Sequence, residues 1–172
     1  MKIIFFLITF FSLFYINFAL SFEQNPETKD IGTGGRDDLS YLNSKTSDFK
    51  KGKDALKQAI KYQKKNKIEK SNIRYEKALK YFVSAYENYP SNIDILNHLG
   101  FTYSIVGDLI MSEIYYQEAL KIEPLNPVIN QRIGKLYLDT ERFNLAKERL
   151  NVLKKCNCKE YLDFKTIFEK IN

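Results

Sequence analysis

The sequence predicts an all-α protein: three stacked helical hairpins in a solenoid, closed by a C-terminal capping helix. A signal peptide and a disordered polar linker are expected to precede them. Three observations predict this. Residue types recur at a spacing of 34 through roughly the last hundred positions. Apolar residues between those landmarks follow helical periodicity. Seven Gly and four Pro in 172 residues supply too few turn formers for an all-β chain.

The recurrence is specific. Ala78, Ser112 and Ala146 are spaced by 34, as are Phe82, Tyr116 and Leu150, and Ala85, Ala119 and Leu153. Gly100 and Gly134, Tyr103 and Tyr137, and Pro90 and Pro124 repeat the interval. Small residues at such positions suit the close approach of two antiparallel helices, and large ones fill the space beside them. A hairpin this small cannot bury its own apolar faces, so neighbours must stack.

These residues resemble the tetratricopeptide repeat (TPR) family. Its pattern is matched by Leu96-x2-Leu99-Gly100-x2-Tyr103, then Ser112-x3-Tyr116, then Pro124. The next unit offers Asn130-x2-Ile133-Gly134-x2-Tyr137 and Ala146-x3-Leu150. The expected organisation is a domain over 48–172, with repeats at 48–92, 93–126 and 127–157 and a capping helix at 158–172. In the first repeat Gly52 is the best match for the repeat glycine. It lies 26 residues before Ala78, whereas Gly100 lies 12 before Ser112, so this hairpin carries about 14 extra residues. Local signals agree with the boundaries. Ser91 and Asn92 offer an N-cap for the second unit, and Gly107-Asp108 a break between its helices. Asn126-Pro127 supplies a cap with Pro at the first helical position. Tyr161, Phe164, Phe168 and Ile171 mark the apolar face of the terminal helix.

The resemblance implies a groove lined by the first helix of each unit. Carried over, its positions are Asp94, Asn97, Phe101, Ser104, Ile105, Gln131, Lys135, Leu138 and Asp139. Phe101 and Leu138 are apolar at nominally exposed places, which suits a bound peptide or helix. The family's peptide-carboxylate clamp is matched only at Arg132. His98 and Val128 stand at other clamp positions, so binding of chaperone C-terminal tails is not expected. The implied function is a non-catalytic scaffold for another protein or peptide. One His, two Cys and no Trp leave few catalytic constellations, and no metal or cofactor site is read from the sequence.

Residues 1–21 have Lys2, an apolar run from Ile3 to Leu20 and small residues at Ala19 and Ser21. That order describes a signal peptide, or an uncleaved anchor, and implies export to the periplasm of a Gram-negative bacterium. Residues 22–47, with Asn25-Pro26 and Gly32-Thr33-Gly34-Gly35, read as the linker.

Two further features carry possible function. The formal charge of +6 is concentrated in residues 50–80, where twelve Lys or Arg face three acids. Lys50, Lys53, Lys57, Lys61 and Lys64 share a helical face opposite Phe49, Leu56 and Ile60. This is either a solvated face or a dock for anionic phospholipid or an acidic partner. No nucleic-acid-binding motif is present, and nucleic acid is not expected as a partner. Cys156-Asn157-Cys158 admits a structural disulfide, a labile redox pair or a two-thiolate site for a soft metal such as Cu(I). Nearby Glu160-Tyr161 and Phe164 resemble the tails of small exported TPR proteins of alphaproteobacteria, and that resemblance favours the disulfide.

Overall fold

A computed structural model describes residues 37–171; the expected signal peptide and the linker up to residue 36 lie outside the described residues. Helix α1 (Asp37–Lys64) starts well before residue 48, where the repeat domain was expected to begin. Polar composition argued against burial of this segment, but it does not argue against helix. No Gly or Pro interrupts residues 36–51.

The remaining helices are α2 (Ile68–Asn88), α3 (Ile93–Val106), α4 (Leu109–Ile122), α5 (Pro127–Asp139), α6 (Phe143–Leu153) and α7 (Lys159–Ile171). They make an all-α stack with no strand among the described residues. Helices pair as α1–α2, α3–α4 and α5–α6, each pair packs on the next, and α7 lies against α5 and α6. The second and third repeats begin at Ile93 and Pro127, as the 34-residue register required.

Capping chemistry fixes those starts. Asn92, rather than Ser91, caps α3, its Oδ1 accepting from Ile95 N at 3.1 Å. Asp108 accepts from Met111 N at 3.0 Å, and Asn126 from Ile129 N at 3.1 Å. Each satisfies an amide that the first turn leaves without an intrahelical partner.

The three turns inside the hairpins share one device. Lys67 N donates to Tyr62 O, Asp108 N to Tyr103 O, and Arg142 N to Tyr137 O. The residue before each donor is left-handed: Asn66 at φ 55°, Gly107 at 91° and Glu141 at 58°. This closes the helix ends with Schellman-type bonds. Gly107 and Glu141 are again 34 apart, but only glycine adopts this backbone freely. Gly107→Ala is therefore expected to lose about 1 kcal/mol, and Glu141→Gly to lose nothing or gain up to about 1 kcal/mol. Thermal melts of the two variants check that opposite order.

The small residues do what the period implied. A Cβ on Gly100 would sit 2.6 Å from Tyr116 Cδ1, and one on Gly52 would sit 2.5 Å from Phe82 Cε1. Gly52 thus occupies the repeat position in the first hairpin. Ser112 Oγ also donates to Gly100 O at 2.8 Å. The same bond, at the same spacing of 12, joins Ser71 Oγ to Ala59 O at 3.0 Å. The long first hairpin therefore contains its close-contact layer twice, once at Gly52 and again two turns further on at Ala59. Its extra residues lengthen both helices by about two turns each, and the turn stays tight.

At the other end the register departs from expectation. Gly134 should face Leu150 of its own hairpin. Instead a Cβ there would lie 2.5 Å from Phe164 Cζ of α7, and Phe164 is wholly buried. Ile171, expected on the apolar face of α7, is 51% exposed.

Candidate functional site

The first helices α3 and α5 place their inner residues around one concavity. Phe101, Ser104, Tyr116, Gln131, Arg132, Lys135, Leu136 and Asp139 line a cavity of about 370 Å³. Five of these, Phe101, Ser104, Gln131, Lys135 and Asp139, are residues the family resemblance put in the groove. The repeat period brings them together, since Phe101 and Lys135 are 34 apart and so occupy equivalent helical positions.

Arg132 organises the site. Its guanidinium lies over the Phe101 ring, 4.5 Å from the centroid, and its Nη1 donates to Asn97 Oδ1 at 3.0 Å. A planar cation stacked on an aromatic ring holds its charge in a fixed place. Ser104 Oγ donates to Phe101 O at 2.8 Å, and Gln131 Nε2 donates to Glu160 O of α7 at 3.3 Å. The cap helix therefore contributes to the rim. Beneath lies Tyr116, whose hydroxyl pKa burial pushes up to about 12, with Ser104 and Arg132 pulling the other way. It stays neutral and offers a hydroxyl, not a charge. Lys135 and Arg132 outnumber Asp139, so the concavity favours an anionic group.

The other expected groove residues fall elsewhere. Asn97 takes part by holding Arg132. Asp94 is exposed in the first turn of α3 and outside the cavity lining, and Ile105 packs partly into the core. Leu138 is a correction. It is only 5% exposed and belongs to the core. It lies one turn beyond Gly134 on α5, whose surface α7 closes with Phe164. Arg132, read from sequence only as a surviving clamp residue, proves central. The signal for it was present: it lies 34 residues after His98, the equivalent place one unit earlier.

His98 itself has been turned inward. Its ring is 5.2 Å from both Phe49 and Phe82, and its Nδ1 is 2.7 Å from Asp94 O. A carbonyl only accepts, so Nδ1 carries the proton of the neutral ring. Burial, together with the charges of Arg132 and Lys53, holds the His98 pKa below the ordinary 6.5, against the pull of the Asp94 carbonyl. The folded state thus binds its proton less readily than the unfolded chain. The stability His98 contributes is complete above about pH 6.5 and is lost as pH falls through the lower folded pKa. His98→Phe, which keeps the aromatic packing, should melt less acid-sensitively than wild type in that window; parallel pH profiles would reject the assignment.

The basic-face lysines, Lys50, Lys53, Lys57, Lys61 and Lys64, are all exposed along α1, with Leu56 buried on the side facing α2. Lys53 lies over the Phe49 ring at 4.6 Å. Cys156 and Cys158 are bonded to each other in the turn before α7. A soft metal takes thiolates as ligands, so sulfurs bonded to each other do not favour the soft-metal alternative.

Stacked hairpins, a concave first-helix surface and a terminal cap define a TPR-type helical-repeat fold. The chain belongs to the family described as "Uncharacterized protein conserved in bacteria (DUF2225)", which matches residues 39–153. Similar solved structures include a thermophilic TPR protein of Thermus thermophilus, at 22% identity and a TM-score of 0.53. That match covers 60% of this chain, which spans about half (52%) of the other. The first TPR domain of Spaghetti (RPAP3), bound to the HSP90 peptide SRMEEVD, is 18% identical with a TM-score of 0.53, covering 72% of this chain and 91% of that one. The second TPR domain of human RPAP3, in complex with the HSP70 peptide SGPTIEEVD, is 14% identical with a TM-score of 0.54, covering 73% and 98%. At these identities the likeness speaks for the fold. None of the curated proteins compared matches the chain.

Proposed function

We propose that this protein is a non-catalytic scaffold that binds an anionic segment of another protein in the concavity between α3 and α5. The observation that carries the reading is Arg132, pinned by Asn97 and stacked on Phe101, beside Lys135 and an uncharged tyrosine floor. Such a site matches a peptide with a carboxylate next to an apolar side chain: the carboxylate pairs with the cations and the side chain packs on Phe101. The RPAP3 domains bind peptides with acidic C-terminal stretches, SRMEEVD and SGPTIEEVD, which supports an acidic peptide as the kind of ligand. Their ligand need not be shared, because His98 and Val128 occupy clamp positions here. The one histidine is committed to packing and to Asp94 O, which supports binding without chemistry. The apolar leader at residues 1–21 supports export, which would put the partner in the cell envelope of a Gram-negative bacterium.

An array of peptides with and without a free C-terminal carboxylate, read by fluorescence anisotropy, tests this. Wild type should select acidic, apolar-flanked members, and Arg132→Ala or Lys135→Ala should weaken them roughly 10- to 100-fold. Melting temperatures should fall little for Lys135→Ala. Selection that survives both substitutions unchanged would place the binding surface elsewhere.

A further inference from the structure

We infer that the elongated tip of the first hairpin docks on an anionic phospholipid surface, an activity separate from peptide binding in the groove. The geometry begins with the doubled contact layer. Ring contacts of Phe82 with His98 and of Tyr86 with Tyr115 fix the level at which this hairpin meets the next. Beyond that level the outer parts of α1 and α2 bond to each other, through Ser71 to Ala59 O and Tyr75 to Gln63. The added two turns carry the turn at residues 65–67 about 10 Å past the turn of the following hairpin.

The overhang has the chemistry of a membrane interface. Residues 57–77 hold eight basic side chains and two acidic ones. Among the described residues, none of those eight is within ion-pair distance of a carboxylate. Seven of them are exposed, and Arg74 is half-buried. Lys57, Lys61, Lys64 and Lys65 surround Ile60 in a shallow cavity of about 390 Å³. At the start of α2, Ile68 is 51% exposed and Ile73 is 57% exposed. Isoleucines standing among lysines suit a headgroup layer: the apolar ends enter the acyl boundary while ammonium groups reach phosphates. Nucleic acid answers the charge but leaves the isoleucines unused, and an acidic protein is an outcome the test below separates. Among the described residues no helix is long and apolar enough to cross a membrane, so this contact lies on the surface.

The chain has no tryptophan, so one introduced residue reports one place. Ile68→Trp puts it at the tip, and Leu162→Trp puts it on α7 at the opposite end, where Leu162 is 63% exposed. The full chain is mixed with phosphatidylcholine vesicles, with or without phosphatidylglycerol. Tip emission should shift to the blue and be quenched by brominated lipid only with phosphatidylglycerol, and high salt should reverse it. The α7 probe should not move. Adding Lys64→Gln, Lys65→Gln and Lys67→Gln should weaken the response on the order of a hundredfold, about a factor of five per lysine. Equal shifts at both probes, or equal shifts with both lipids, would overturn the inference. So would a tip that responds to RNA or polyglutamate and not to vesicles. An apolar leader that tethers the protein to every vesicle would not mimic the expected pattern. Peptide binding by the groove is read separately, so either result can fail alone.

Discussion

Phe164→Ala is expected to destabilise the described domain by about 3–5 kcal/mol. Phe164 is fully buried and lies against the bare backbone of Gly134, with Phe168 at 6.4 Å beside it. Truncation empties that site. No side chain on Gly134 can fill it, and that stretch of α5 loses its cover. Chemical denaturation gives the magnitude, and hydrogen exchange gives the place: α7 and α5 should lose protection first. The contact can also be tested from the other side. Gly134→Ala should destabilise wild type, because its methyl meets the ring, yet cost much less in a Phe164→Leu background. A double-mutant cycle without that coupling would show that Phe164 does not sit on Gly134.

Gly100→Leu should cost about 1–3 kcal/mol or more. Even a Cβ at this position would be 2.6 Å from the ring of Tyr116. Tyr116 is itself 1% exposed and cannot swing aside without disturbing the floor of the groove. The substitution should therefore weaken peptide selection along with stability. Gly107→Ala separates the two roles of glycine, because its Cβ would meet nothing within 4 Å while the left-handed backbone alone is strained. Its melting temperature should fall and its groove should work. A Gly100→Leu protein that melts like wild type would break the repeat register.

The division between sequence and structure can be seen at particular residues. The 34-residue period identified the small and large positions, and Asn92, Asp108, Asn126 and Gly107 marked helix ends, because caps and close contacts within a hairpin are local demands. Phe101, Ser104, Gln131, Lys135 and Asp139 were put in one groove by the family resemblance, and they line one concavity. Arg132 was visible as a residue type in the right register, but its partners Asn97 and Phe101 sit on another helix, and no spacing rule records that. The doubled layer in the first hairpin was hidden because Ala59 and Ser71 repeat the contact of Gly100 and Ser112 at an offset other than 34. Only stacking decided the end of the chain. Helix α7 packs on the last hairpin, where Phe164 is the side chain nearest Gly134, and Leu138 lies in the core. Periodicity specifies what a hairpin must bury; what buries it depends on which element comes to rest there in space.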